Sequence, residues 1–318
     1  MDTLPDQRTD QETASTAMVG RPVRVVSLSF RIGSKSLDEV AATVDREGAA
    51  GCDLIALPET WTGSVPESLN ERTITTLAAL AQAHHTYVVC PIYRREGERR
   101  LNSAVMIDRR GEIACVYDKV FPYWSEFDLT PPVEMGRDVA VYPADFGRVG
   151  MAICFDVNFP EVWQRLADRQ AELVIWPSAY SAGSSLQAHA LNHHFAIVTA
   201  TSTGDCQVYD ITGERVLDEC SEGLHISRVT LDLDRGIYHE NFNLEKRDRL
   251  LRERCDDVLL ERCLPREEWF VLKARRAGVS VRALAQEYGL EELRDYLGRS
   301  RREIDRMRGA EIAARDQG

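Results

Sequence analysis

The sequence predicts a layered α/β domain followed by a helical appendage. Between residues 21 and 234, short apolar runs rich in β-branched residues alternate with segments whose apolar side chains have helical spacing. Turns at 109–112 and 212–213 join pairs of strands and insert hairpins into this alternation. The combination is typical of sheets stacked against helices. From Gly236 onward the chain is more charged, and helical patterns replace the alternation.

The first half of the chain contains five predicted strands and two predicted helices. The strands cover 24–30, 53–59, 86–93, 101–108 and 113–117, and the helices cover 36–50 and 69–84. Two of these strands end at charged residues, because Glu59 closes the second strand and Lys119 follows the fifth. Ligands of open α/β sheets bind at the carboxyl ends of strands. Glu59 and Lys119 are therefore candidate site residues.

The second half repeats the pattern. Strands are predicted over 139–142, 149–153, 173–179, 195–202, 206–210, 214–217 and 224–231, with helices over 160–167 and 186–194. Cys154 stands where the second of these strands ends and polar residues begin. A reactive thiol at that place would again lie at a sheet edge.

Composition excludes several function classes. The formal net charge of −12 disfavours nonspecific attraction to nucleic acid or to an anionic membrane. No apolar run approaches the ~18 residues needed to span a bilayer. Residues 1–21 lack the apolar core of a secretory signal and are predicted to be a disordered leader. The eight cysteines form no CxxC pair, which favours free thiols and a cytoplasmic protein.

Glu59, Lys119 and Cys154 together have the composition of a nucleophilic site. A cysteine with a free pKa near ~8.5 is mostly protonated at neutral pH and needs a base or a positive field to react. A carboxylate can accept the thiol proton, and an ammonium can stabilise the negative charge that develops on the substrate. The three strand ends supply one residue of each kind.

Three ordered segments carry a family resemblance. LPET at 57–60, DKVFPYWSE at 118–126 and CFDVNFPE at 154–161 resemble the three signatures of the nitrilase superfamily, the carbon–nitrogen hydrolases, and the likeness spans roughly 23–234. The resemblance implies a four-layer α-β-β-α sandwich over 22–235. It also implies Glu59 as general base, Lys119 as the oxyanion-supporting cation and Cys154 as nucleophile, without a metal or an organic cofactor.

The same resemblance suggests further site residues. Such enzymes commonly carry a second glutamate soon after the lysine, and Glu126 matches it by position. Tyr123 and Trp124 are candidate walls of a substrate pocket. Phe155 and Asp156 follow the nucleophile where nitrilases proper usually have Trp-Glu, so this pair favours an amidase-like branch and is counted with the substrate-binding residues. The expected reaction is hydrolysis of an amide or carbamoyl-type small molecule through an acyl-enzyme, with nitrile hydrolysis as the alternative.

The rest of the chain is predicted to be an extension over 236–263 and a helical tail over 264–318, with one helix expected at 264–277. Residues 277–290 resemble the first half of a helix-turn-helix, with Ser280 as a plausible N-cap. This leaves open a different class, a non-catalytic small-molecule sensor with a DNA-binding tail. The next helix opens with Glu291 and Glu292, however, and these carry the wrong sign for phosphate. An oligomerisation role, and hence a homo-oligomer, is favoured over DNA binding.

Overall fold

The structure, a computed structural model, describes residues 18–315. Most of the predicted leader lies outside the described residues. The first half of the chain supplies β1 (Pro22–Ser29), α1 (Leu37–Ala49), β2 (Leu54–Ala56), α2 (Arg72–His84), β3 (Tyr87–Glu96), β4 (Arg99–Ile107) and β5 (Ile113–Asp118). All seven predicted elements are confirmed. α1 begins after Ser36 because the Ser36 hydroxyl and the Glu39 carboxylate form a capping box.

The second half supplies seven more strands and two helices, and all of these predictions are also confirmed. They are β6 (Val141–Ala144), β7 (Gly147–Met151), α3 (Pro160–Asp168), β8 (Leu173–Ser178), α4 (Ser184–His193), β9 (Ala196–Thr201), β10 (Asp205–Tyr209), β11 (Arg215–Cys220) and β12 (His225–Asp232). Pro160 occupies the first turn of α3, where its missing N–H leaves no helical hydrogen bond unmade.

The strands form two six-stranded sheets of matching design. The first has the order β12-β1-β2-β3-β4-β5 and the second has the order β11-β10-β9-β8-β7-β6. In each sheet three central strands are parallel and the outer strands pair antiparallel. Parallel neighbours place their carboxyl ends at one edge, which is the edge where the predicted catalytic residues occur.

Alternate residues of each strand enter different cores. In β1, Val25 packs between the two sheets, whereas Val26 packs with α1 and α2 on the outer face. Trp163 of α3 and Leu186 of α4 cover the other sheet. The fold is thus the expected α-β-β-α sandwich. Polar contacts also join the sheets, since the buried Ser27 hydroxyl of β1 donates to the Thr199 carbonyl of β9 at 2.6 Å.

The tail departs from the sequence prediction. It contains β13 (Gly236–His239), α5 (Leu244–Glu253), β14 (Val258–Leu264), β15 (Trp269–Ala274), α6 (Val281–Glu287) and α7 (Leu293–Arg315), and its strands form a sheet in the order β13-β15-β14. The predicted helix over 264–277 is therefore wrong. The run Trp269–Ala274 is a strand because it pairs on both sides and buries Phe270 and Leu272 in the tail's own core.

Ion pairs and caps attach the tail to the sandwich. Asp234, just after β12, accepts hydrogen bonds from the Ser280 hydroxyl at 2.7 Å and the Val281 amide at 2.5 Å, at the start of α6. Glu172, before β8, pairs with Arg282 of α6 at 2.9 Å. Arg235, just before β13, forms a salt bridge with Asp210, just after β10, at 2.9 Å. These contacts fix the helices of the tail against the second sheet.

The helix-turn-helix pattern corresponds to α6 and the start of α7. Ser280 caps α6 as predicted, since its hydroxyl accepts from the Ala283 amide. Two of the basic residues near the start of α7 are engaged within the chain, whereas Arg301 and Arg302 are exposed. Arg294 donates to the Ala171 carbonyl at 2.6 Å, and Arg299 pairs with Glu291 at 2.8 Å. This placement gives the DNA-binding interpretation no support.

Across residues 18–315, none of the helices combines the length and the apolar character that crossing a bilayer requires.

Candidate active site

Three strand ends from two sheets converge on one cavity. Glu59 lies three residues beyond β2, and Lys119 directly follows β5, both in the first sheet. Cys154 lies three residues beyond β7 in the second sheet. The three side chains line the same cavity of about 550 Å³. The strand-end positions in the sequence thus indicated a real spatial cluster.

Lys119 lies between two carboxylates. Its Nζ is 2.8 Å from Glu59 Oε1 and 2.7 Å from Glu126 Oε2. Lys119 is only 1% exposed, so it is not a solvated surface charge. Burial alone would lower the pKa of the Lys119 ammonium, but the charges of Glu59 and Glu126 raise it above its ordinary value. The side chain therefore stays cationic inside the protein.

Asn102 of β4 holds the two carboxylates together and was missed by the sequence analysis. Its Nδ2 donates to Glu59 Oε1 at 2.7 Å and to Glu126 Oε1 at 2.8 Å, while its Oδ1 is buried with no partner. Its backbone carbonyl accepts from the Lys119 amide at 2.8 Å. The available signal was the polar pair Asn102-Ser103 inside a strand whose other residues, Leu101 and 104–107, are apolar.

Backbone and tyrosine donors complete the carboxylate network. The Ala179 amide, after β8, donates to Glu59 Oε2 at 2.8 Å. The Tyr93 hydroxyl donates to Glu126 Oε1 at 3.3 Å, and the Tyr123 amide donates to Glu126 Oε2 at 2.7 Å. Every oxygen of Glu59 and Glu126 thus has a donor. Charges this well satisfied are pre-organised before any substrate arrives.

Cys154 has a backbone conformation that L-residues seldom adopt. Its φ is +47°, and it opens a short 3-10 helix, Cys154–Asn158. A non-glycine residue at positive φ costs on the order of 1–2 kcal/mol, which the surrounding structure must offset. The Trp176 indole contributes by donating to the Cys154 carbonyl at 3.2 Å. The strain aims the thiol into the cavity instead of along the strand.

The surroundings of the Cys154 thiol favour its protonated form. Burial raises its pKa well above the ordinary value, and the Glu59 carboxylate adds to the rise. Lys119, the Ser178 hydroxyl and the Ala179 amide oppose that rise without cancelling it. A thiol in this setting needs a base to remove its proton before it can react, and two carboxylates, Glu59 and Glu126, lie in the same cavity.

Two of the predicted substrate-binding residues lie outside the cavity. Asp156 is fully buried, and it accepts from the Tyr117 hydroxyl at 2.7 Å, the Ile153 amide at 2.8 Å and the Phe121 amide at 2.9 Å. Assigning a substrate contact to Asp156 is therefore wrong. Its carboxylate instead joins two segments by hydrogen bonds. One is the turn that carries Cys154, and the other is the loop that follows Lys119. Burial raises the pKa of Asp156 to about 6.

Trp124 is the second predicted substrate-binding residue that lies outside the cavity. Its side chain is 66% exposed and packs on Tyr123 with ring centroids 6.2 Å apart, and it is not among the cavity residues. Tyr123, Glu126 and Phe155 do line the cavity, as predicted. The full lining is Ile32, Glu59, Thr60, Tyr93, Lys119, Tyr123, Ser125, Glu126, Cys154, Phe155, Asn158, Ala179 and Tyr180. Ile32 and Tyr180 lie outside the three signature segments, whereas Thr60 and Asn158 lie inside them but were not named as candidate site residues.

Within the described part of the chain, no three His, Cys, Asp or Glu side chains come together as metal ligands would. The histidines of α4 serve packing instead. His189 stacks on Trp163 with centroids 4.3 Å apart, and its Nε2 lies 2.8 Å from the Val157 carbonyl. Burial lowers the pKa of His193 to about 4, which keeps that ring neutral at physiological pH.

Comparison with curated proteins finds relatives named as an amidase and a citrullinase. The chain is 30% identical to deaminated glutathione amidase of Dictyostelium discoideum over 162 residues, 42% of this chain and 54% of that protein. It therefore spans about half the length of that relative. It is 24% identical to citrullinase of Francisella tularensis subsp. tularensis, over 68% of this chain and 90% of that protein.

The fold has close counterparts among solved structures. An amidase from Nesterenkonia sp. AN1, solved with acrylamide added at its active-site cysteine, superposes with a TM-score of 0.58 at 22% identity. The match covers 65% of this chain and 93% of that one. The sequence profile of the carbon–nitrogen hydrolases matches residues 27–236, which is more than half of the chain. With the α-β-β-α sandwich and the charged cavity already described, this match shows that the chain belongs to the carbon–nitrogen hydrolase family.

Proposed function

We propose that this enzyme hydrolyses a non-peptide carbon–nitrogen bond in a small amide or carbamoyl-type molecule, with Cys154 as nucleophile and release of ammonia or an amine. One observation carries the proposal. A buried ammonium, Lys119, lies between two carboxylates in the same cavity as a thiol on a strained turn. Burying charges costs desolvation free energy even when the charges are paired. Clusters of buried ionisable groups in a cavity therefore often mark functional sites.

Acylation begins with proton transfer from the Cys154 thiol to Glu59. The thiolate attacks the carbonyl carbon of the amide, and the carbon–oxygen π electrons move onto oxygen. Lys119 stabilises the resulting oxyanion, since an ammonium in a dry cavity acts with little screening. Glu59 then returns its proton to the amide nitrogen as the carbon–nitrogen bond breaks. The products are ammonia or an amine and a thioester on Cys154.

Deacylation uses the same groups in reverse order. Glu59 takes a proton from a water molecule, and the hydroxide attacks the thioester carbon. Lys119 again supports the oxyanion. When the carbon–sulfur bond breaks, the proton on Glu59 passes to the sulfur and restores the thiol. Glu126 keeps Lys119 and Asn102 in place through both halves of the cycle, which fits its complete set of hydrogen bonds.

The amide reaction is favoured over the nitrile alternative by Phe155 at the position after the nucleophile. Its ring lines the cavity and meets Tyr123 edge to face at 5.3 Å. The names of the relatives include both chemistries, since deaminated glutathione amidase, citrullinase and a nitrilase of Pyrococcus abyssi are all similar to this chain. Comparing acid formation from a matched amide and nitrile separates the two.

We also propose a homo-oligomer that works in the cytoplasm. All eight cysteines are free thiols, which suits a reducing compartment. On α7, Leu297, Ile304 and Met307 are each about half exposed and recur at helical spacing, a stripe suited to the same helix of a second copy. Sedimentation of wild type and of a variant with these three residues changed to serine measures the assembly, and an unchanged mass for the variant would refute this interface.

The proposed reaction is tested by following ammonia release from a panel of small amides. Wild type should turn over at least one of them, and Cys154→Ala should lose at least ~10³ in rate because no nucleophile remains. Cys206→Ala is the matched control, since Cys206 is an equally buried thiol of the second sheet outside the cavity. Full turnover by Cys154→Ala would refute the mechanism.

A further inference from the structure

We infer that the cavity selects an uncharged amide whose acyl group is apolar. This rests on the proposed function, because it names the substrate class of the same site. Ionised side chains occur only at the reacting end of the cavity, where Glu59, Lys119 and Glu126 meet. Beyond that end, the walls are uncharged.

No cation in the lining is available for a substrate carboxylate. Lys119 is the one Lys or Arg among the lining residues, and two of its three protons already face Glu59 and Glu126. A carboxylate on the acyl chain would lose its hydration without gaining a counter-ion, and it would lie near two carboxylates. Both effects weaken binding.

A substrate with an ammonium group would also bind weakly. The Glu126 oxygens accept from Asn102, Tyr93, Lys119 and the Tyr123 amide, so Glu126 has no oxygen left without a donor. Glu59 must keep its remaining lone pair for the thiol proton. A cation that paired with Glu59 would remove the base from the reaction. The charged side chains of the cavity therefore serve the reaction and do not pair with a charged group of the substrate.

The walls match an apolar acyl group. Tyr123 and Phe155 pack edge to face on one side, and Tyr180 packs against Trp176 on another, with ring centroids 5.8 Å apart. Ile32 is 39% exposed at the mouth. Rigid aromatic walls in a cavity of about 550 Å³ are typical of sites that bind small apolar ligands. The uncharged polar side chains of the lining are available to orient the amide. They are Thr60, Ser125 and Asn158 and the hydroxyl groups of Tyr93, Tyr123 and Tyr180.

Binding to the Cys154→Ala variant tests this inference without requiring turnover. The probes are three primary amides of similar size, namely 4-methylpentanamide, its anionic counterpart succinamate and the cationic 4-aminobutanamide. Calorimetry should give a Kd for the uncharged amide at least ~10-fold lower than for either charged one. Equal or tighter binding of succinamate or 4-aminobutanamide overturns the inference. Ammonia release from the same probes by wild type tests the proposed function separately.

A charge placed in the wall should reverse the preference. Ile32→Lys puts a cation at the mouth and should lower the Kd for succinamate relative to 4-methylpentanamide by ~10-fold or more. Ile113→Lys is the matched control, because Ile113 is 41% exposed on β5 and lies outside the cavity. Its relative Kd should not change. If both variants shift the preference equally, the effect is one of net charge and the account of the cavity wall is wrong.

Discussion

The two sheets contribute unlike halves to the active site. The first sheet brings every fixed charge, since Glu59, Lys119 and Glu126 follow its strands and Asn102 joins them from β4. The second sheet brings a thiol with no charge of its own, held at positive φ by the turn after β7. One half is an electrostatic arrangement and the other is a strained nucleophile.

This division explains how a costly site is kept stable. Charges that are buried together must be paired within one rigid element, because any relative motion would leave one of them without a partner. The thiol carries no charge that must be paired. It needs only the correct orientation, which the turn after β7 provides. The contact between sheets, including the Ser27–Thr199 hydrogen bond, then sets the alignment of Glu59, the proposed base, with Cys154, the proposed nucleophile. Variants on each side should consequently fail in different ways.

The largest effect is expected from the first sheet. Lys119→Met leaves two buried carboxylates with no cation, so kcat/KM should fall by ~10²–10³ and the free energy of unfolding by about 3 kcal/mol. Lys273→Met is the matched control, since Lys273 pairs with Glu261 at 3.4 Å and is 39% exposed. It should change stability by less than ~1 kcal/mol. Ammonia release and urea unfolding measure both, and a fully active Lys119→Met would contradict the charged half of the comparison.

Asn102 should come next. Asn102→Leu removes one donor from each carboxylate, and kcat should drop ~10-fold or more with little change in KM, because Asn102 contacts the base and not the cavity. Asn102→Asp adds a third carboxylate and should be worse. Asn192→Asp, on the exposed side of α4, is the control and should leave kcat unchanged. A rise in KM alone would show that Asn102 does not act through Glu59.

Asp156 gives a pH test of the second sheet. Its pKa of about 6 is raised by burial above the unfolded value near ~3.8, so its contribution to folding is complete below pH ~4 and is lost as pH rises through about 6. Asp156→Asn lacks this titration. The difference in unfolding free energy, wild type minus variant, should therefore decrease by up to ~3 kcal/mol between pH 4 and pH 7. If this difference in unfolding free energy increased with pH, the pKa of Asp156 would be lowered by folding, and the assigned direction of the shift would be wrong.

The smallest effect belongs to the tail. Ser280 caps α6 and donates to Asp234, so Ser280→Ala should cost about 1 kcal/mol of stability. Its distance from the cavity predicts that kcat/KM stays within ~2-fold of wild type. Thermal unfolding and ammonia release check the two values, with Ser300→Ala inside α7 as control. A large loss of activity would show that the tail shapes the site.

The sequence predicted the strands and helices of the sandwich well because their signals are local, whereas the four-layer arrangement was implied by the family resemblance. Period-two apolar strands and strand-end residues such as Glu59 and Cys154 are visible without knowing their partners. Asn102 could not be assigned to the site, since its contacts with Glu59 and Glu126 depend on the pairing of β4 with β3 and β5 and of β3 with β2. Trp269–Ala274 was predicted as helix because the short hairpin that joins β14 to this strand was not recognised, and because its other partner, β13, is distant in sequence. Asp156 adjoins the nucleophile, but the 3-10 turn directs it into the core.

The central claim is that the substrate's acyl group is carried by Cys154. Wild type mixed with 4-methylpentanamide, quenched in acid and digested, should yield the Cys154 peptide with the mass of the added acyl group. The peptides of the other seven cysteines should remain unmodified, including the exposed Cys220, Cys255 and Cys263. An acyl group found on another residue, or steady turnover with no acylated Cys154 in wild type and undiminished turnover in Cys154→Ala, would contradict the account.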